Sequence, residues 1–162
     1  MPRTDNEVRI VPSVLDRLID YEPELSREPP ASRSKSLRLL KQSVKRDLEC
    51  MLNTRQSIVY VEPEMKELTN SLACYGLPDF SNASVKSPSD QNRLRRALET
   101  AIAVFEPRLE DVKVSLESTG GGVERVLHFR IDARLRVDPA PEPVTFDTRL
   151  HVTSGEYTVQ EE

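Results

Sequence analysis

The residue types best suited to chemistry gather at one point of the chain. Glu106, Glu110 and Asp111 stand close together, with Arg108 between them. Two carboxyl groups at a set separation hydrolyse glycosidic bonds when an apolar setting keeps one of them protonated near neutral pH. Nothing in this spacing sets the three acids across a cleft. A guanidinium two residues from Glu106 favours the charged carboxylate, the wrong form for a general acid. A peptidoglycan-cleaving muramidase using Glu106 is therefore the alternative reading, and no catalytic residue is assigned. His128 and His151 fall diagonally on the polar face of one hairpin, but two ligands are too few for a structural zinc. No GxSxG is present. Gly120-Gly121-Gly122 lacks the following helix and lysine of a phosphate loop, so it reads as a hairpin turn. No metal, cofactor or small-molecule substrate is implied.

The elements around Glu106 explain its position. Leu94, Leu98, Ala101, Ile102 and Phe105 recur at the spacing of one helical face. Pro107 stops that helix, because its ring clashes with the preceding turn and it has no N–H to donate. It also pushes Glu106 toward an extended conformation. Beyond it Val112, Val114 and Leu116 alternate with Lys113, Ser115 and Glu117, the pattern of a strand buried on one face. Glu106 and Arg108 thus flank a rigid helix-to-strand corner. Two readings are open: a local ion pair, or a docking point in which Glu106, Pro107 and Arg108 meet another chain.

The 162 residues are consistent with a single domain, 1–162, with loose ends at 1–12 and 160–162. Apolar residues make up 37% of the chain, which implies a lean core and suits a protein ordered partly by its partners. A net charge of −4 argues against nucleic acid or an anionic membrane as main partner. No run approaches the ~20 apolar residues that cross a bilayer. With no signal peptide pattern, Cys50 and Cys74 read as reduced packing residues of a cytoplasmic protein.

In chain order, Ser13 caps a short helix with Val14, Leu15, Leu18 and Ile19 as its apolar stripe. A proline-bearing linker over 21–34 follows. Ser34 or Ser36 opens a longer helix with Leu37, Leu40, Val44, Leu48, Met51 and Leu52 inward and a basic strip of Arg38, Lys41, Lys45 and Arg46 outward. Ile58–Val61 reads as extended. Met65, Leu68 and Leu72 predict another inward helical stripe, closed by Gly76. Ser87-Pro88-Ser89-Asp90 has the chemistry of a helix start.

The last third reads as strands. Leu127, Phe129, Ile131, Ala133, Leu135 and Val137 point one way, and His128, Arg130, Asp132, Arg134 and Arg136 the other. After a proline-broken loop, Val144, Phe146, Thr148, Leu150 and Val152 alternate with Asp147, Arg149 and His151. A final strand carries Tyr157 and Val159. The fold class is α+β, with N-terminal helices on one face of a C-terminal antiparallel meander. On the outer face Arg130, Arg134 and Arg149 are candidate partner contacts, although Asp132 and Asp147 could satisfy some of them. The last strand lies at an edge, where Tyr157 and Val159 could pair with a visiting strand.

Several of these stretches resemble the TssE baseplate subunits of bacterial type VI secretion systems. They are Leu15-Asp16-Arg17-Leu18, Asp47-Leu48 running into Leu52-Asn53-Thr54-Arg55, Ser71-Leu72 leading into Tyr75-Gly76-Leu77-Pro78-Asp79, and above all Phe105-Glu106-Pro107-Arg108-Leu109. That family is similar to the small wedge protein of contractile phage baseplates, long labelled lysozyme-like. The resemblance implies a non-enzymatic part of the baseplate wedge, with TssF, TssG, TssK and sheath subunits as partners, that helps to start sheath polymerisation. It also implies that Glu106, Pro107 and Arg108 anchor the subunit to the wedge core, and that the C-terminal sheet accepts a strand.

Overall fold

The computed structural model describes residues 10, 12–19, 24, 32–57, 61–62, 64–80, 87–117, 126–151 and 154–161. The expectations for 1–9, most of the linker over 21–34, residues 58–60, the Gly120-Gly121-Gly122 turn and Val152 fall outside them. Four helices, α1 (Val14–Leu18), α2 (Arg33–Leu52), α3 (Lys66–Thr69) and α4 (Pro88–Phe105), precede four strands. These are β1 (Leu109–Glu117), β2 (Val126–Leu135), β3 (Glu142–His151) and β4 (Glu156–Glu161), in one antiparallel sheet of order β1-β2-β3-β4. The architecture is the expected α+β meander.

Helix α4 begins as its residues dictate: the Ser87 hydroxyl accepts from the Asp90 N–H, and Pro88 occupies the first turn, where its missing N–H costs nothing. Helix α2 starts earlier than the serines at 34 and 36 suggest. Ser32 is the cap, its hydroxyl accepting from the Lys35 N–H at 3.3 Å. Both helices turn their apolar stripes (Val44, Leu48, Met51 and Leu52; Leu94, Leu98, Ala101 and Ile102) into one core with Val114, Phe129, Ile131, Leu135, Phe146 and Val159 of the sheet. α2 runs along β4, and α4 along β1. The sheet's other face is polar.

The inward stripe predicted over 65–72 does not form. α3 is a single turn, and the Ser71 hydroxyl then bonds the Leu68 carbonyl and caps a 3-10 turn over Leu72–Cys74. Such side chain-to-backbone bonds compete with helix continuation. Met65 and Leu72 are consequently 49% and 84% exposed. Gly76 closes the turn as expected, at φ +99°; a Cβ there would lie 2.3 Å from the Thr54 carbonyl oxygen. That close approach lets Leu77 N–H bond Thr54 O at 2.9 Å and joins the end of α2 to the Tyr75–Asp79 loop. At the sheet's end, β4 continues as strand through Glu161.

Candidate partner-binding site

The corner is built by the abrupt end of α4. Glu106 is its C-cap, with N–H still bonded to the Ile102 carbonyl at 2.9 Å, while φ −122° and ψ 76° take the chain out of the helix. Pro107 forces that exit. The turn brings Arg108 back over Glu106, and the Leu109 N–H closes it on the Glu106 carbonyl at 3.1 Å. β1 then begins.

Both carboxylate oxygens of Glu106 are taken by Arg108. Oε1 accepts from Arg108 Nε at 2.6 Å and from its backbone N–H at 3.2 Å, and Oε2 accepts from Nη2. The same guanidinium reaches α2, donating from Nη2 to Asp47 Oδ2 at 2.6 Å and from Nη1 to Ser43 Oγ at 3.1 Å. Asp47 Oδ1 in turn accepts from Arg46 Nε and Nη2 at 3.1 and 2.9 Å. Arg46 and Ser43 both hold Asp16 of α1, at 2.9 and 2.7 Å, and Ser13 donates to Asp16 at 2.6 Å. One continuous network therefore ties α1, α2 and the corner together.

Its electrostatics follow from these contacts. Hydrogen bonding to Glu106, reinforced by Asp47, raises the pKa of Arg108 against the opposing effect of burial. Burial works against the Asp16 carboxylate, but hydrogen bonds from Ser13, Ser43 and Arg46 outweigh it and hold its pKa below the ordinary value. Of the two open readings of the corner, the local ion pair is present. Glu106 is only 4% exposed and does not face outward. Pro107 is exposed at the apex, and Arg108 is partly so. Beside them opens a recess of about 380 Å³, with Leu48, Met51, Tyr75 and Phe105 as its apolar lining and Ser13, Asp47, Glu106, Pro107 and Arg108 around them. The Tyr75 and Phe105 rings meet edge to face at 5.3 Å.

The three acids considered for catalysis are each matched to a different arginine. Glu106 bonds Arg108, Glu110 accepts from Arg136 Nε at 2.7 Å, and Asp111 pairs with Arg134. Asp111 sits at a bulge between Glu110 and Lys113, with φ 52°. Among the described residues no group of three or more His, Cys, Asp or Glu is arranged to hold a metal ion. None of their helices is long and apolar enough to cross a membrane.

On the outer face of the sheet, Arg130 donates to Asp132 at 3.2 Å, and Asp132 also accepts from Thr145. Asp147 lies directly across from Arg130 in the β2–β3 register. Arg149 is exposed and has no ion pair among the described residues. Arg130 and Arg149 lie farther along this face, away from the corner, whereas Arg134 stands opposite Glu110, two residues beyond Arg108.

Tyr157 and Val159 are at the sheet's border as expected, but that border is not open. Their side chains are in the core. The Tyr157 N–H donates to Asn53 Oδ1, and its carbonyl accepts from Asn53 Nδ2, both at 2.8 Å. Asn53, just past the end of α2, thus supplies what a neighbouring strand would. Antiparallel alternation turns the Val159 backbone the same way as that of Tyr157, and Val159 is 1% exposed, backbone included. At the opposite border Glu99 of α4 accepts from the Val114 N–H at 3.0 Å.

Sequence reasoning about the corner missed Asp16, Ser43, Arg46 and Asp47, and at the edge it missed Asn53. Asp47 and Asn53 stood inside family-like stretches, but no local pattern says what they touch across 61 and 104 residues.

The comparisons with known proteins point one way. The sequence model of the family described as "Baseplate wedge protein gp25" matches residues 38–140. A chain of a solved structure, "The baseplate complex from the type VI secretion system", has the same fold with a TM-score of 0.52 and 20% identity. The match covers 75% of this chain and 95% of that one. No curated protein sequence matches significantly.

Proposed function

The chain belongs to the gp25 family of baseplate wedge proteins, and from that premise we propose that it is a non-enzymatic TssE-type subunit of a type VI secretion baseplate. In this reading it works in the cytoplasm, joins the wedge formed by TssF, TssG and TssK, and helps to start polymerisation of the sheath. The observation that carries it is the corner. Glu106 and Arg108 hold each other and α2, so Pro107 and the apolar recess beside it are held in a fixed shape. Preorganised shape of this kind lowers the cost of association. The Glu106-Pro107-Arg108 stretch then serves the partner through the surface it holds in place, more than by offering two free charges. Arg130, Arg134 and Arg149 are secondary contacts on the outer face. A sheath strand joins the sheet at Tyr157 and Val159 only after Asn53 has swung away.

The muramidase alternative loses ground on the same geometry. A general acid needs a proton aimed at substrate, and both Glu106 oxygens instead accept from Arg108. Glu110 and Asp111 are paired with their own arginines.

Fluorescent sheath subunits in cells provide the test. Glu106→Ala and Arg108→Ala should abolish sheath assembly and recovery of wedge subunits with the tagged chain, with unfolding midpoints measured alongside. Normal sheaths in both variants would overturn the reading. So would release of peptidoglycan fragments that Glu106→Gln abolishes.

A further inference from the structure

Helix α1 is amphipathic the wrong way round for a segment that serves its own core. Its acid, Asp16, faces the protein and is clamped by Ser43 and Arg46 of α2. Its apolar residues face away: Val14, Leu15 and Leu18 are 65%, 54% and 77% exposed, and no residue of the helix is buried. A ridge of three large apolar side chains, held in place by a polar clamp, is a surface feature that calls for a covering partner.

The charge of the helix on which α1 docks narrows the partner. α2 carries six cations and two carboxylates, a net +4 within a chain of net −4. Lys35, Arg38 and Lys45 recur at the spacing of one face, and none has an ion pair among the described residues. At about 100° per residue this strip lies roughly a quarter turn around α2 from Ser43 and Arg46, where α1 docks, and extends about 15 Å along the axis. Arg17, exposed on α1 itself, adds a further cation beside the ridge.

We propose that α1 and the outer strip of α2 form one docking surface for an acidic amphipathic helix of a partner protein. Its apolar stripe covers Val14, Leu15 and Leu18, and carboxylates along its flank meet Arg17, Lys35, Arg38 and Lys45. A helix of about ten residues spans the strip at 1.5 Å per residue and offers both features at once. An anionic membrane fits less well, because the negative charge of the rest of the chain opposes an extended anionic surface. Nucleic acid fits less well too, since it has no use for an aliphatic ridge and no aromatic side chain belongs to the strip for stacking. The proposal rests on the chain being one subunit of a multi-protein wedge, but it concerns a surface that adjoins the Pro107 recess at Ser13 and includes none of the residues lining it.

The experiment is site-specific photo-crosslinking in cells that make the full chain, with benzoylphenylalanine replacing Leu18 in one version and Arg38 in another. Both positions are expected to crosslink to the same stretch of one partner, rich in Asp and Glu with apolar residues three and four apart. Arg38→Glu combined with Lys45→Glu should lower the Leu18-position crosslink about tenfold, since like charges now face each other. Crosslinks to lipid, to nucleic acid, to a second copy of this chain or to two unrelated polypeptides would overturn the proposal, as would no crosslink at all. Sheaths that still assemble under any of those outcomes leave the wedge reading standing and fell this one alone.

Discussion

Glu106-Pro107-Arg108 and Arg130-Ile131-Asp132 are the same pairing in sequence: an acid and an arginine two residues apart. The fold makes them different objects. At the corner the proline-terminated helix folds the arginine back, Glu106 is 4% exposed, and one guanidinium bridges α4 and α2 through Glu106, Asp47 and Ser43. On β2 the two side chains stand on the same outer face. Their side chains are 38% and 49% exposed, and Arg130 Nε meets Asp132 Oδ1 at 3.2 Å. The lesson is that spacing proposes an ion pair, but burial and the number of elements bridged decide what it is worth. Exposed pairs contribute at most about 1 kcal/mol, whereas stripping one partner from a buried pair costs about 3–5 kcal/mol.

The largest effect should come from breaking the corner. Arg108→Ala leaves a buried carboxylate without its partner, and a loss of roughly 3 kcal/mol in denaturant unfolding is expected. A loss below about 1 kcal/mol would erase the contrast between the two pairs. Asn53→Ala removes two hydrogen bonds from a partly buried strand border and should cost about 1–2 kcal/mol, with faster amide exchange at Tyr157. Unchanged exchange there would mean that something else covers the border.

The Asp16 clamp sharpens the comparison through pH. Its pKa is lowered in the fold, so its stabilisation is present above the ordinary value of 3.8 and is lost as the pH falls through the lower folded value. NMR of α1 amides should show the helix loosening in that acidic window and not at pH 5 or above. The smallest effect belongs to the other half of the pairing. Arg130→Ala should shift stability by no more than about 0.5 kcal/mol, because exposed ion pairs are worth little.

The α+β order, the capping of α1 by Ser13 and of α4 by Ser87, and the alternation of β2 and β3 were all legible, because each depends on residues within a few positions of one another. The end of α4 at Pro107 was legible for the same reason. What escaped was set by tertiary contact. Glu106 and Arg108 stayed open between a local ion pair and a docking point, since nothing near them announces that Asp47 and Ser43 will come alongside. Tyr157 and Val159 read as an open border because Asn53 is distant in the chain. The 65–72 stripe failed for a local reason that periodicity does not weigh: Asn70 and Ser71 end the helix before it can bury Met65 and Leu72.

The central claim is that the corner acts through a shape held in place by an internal ion pair, and not by offering that pair to a neighbour. Pro107→Glu tests it most directly, because it puts a charge at the mouth of the recess and leaves the Glu106–Arg108–Asp47 network, without the proline, to hold the corner. Recovery of wedge subunits with the tagged variant is the measurement, taken with its unfolding midpoint. The account predicts loss of the wedge subunits with the midpoint little changed; full recovery by a folded Pro107→Glu chain would contradict it.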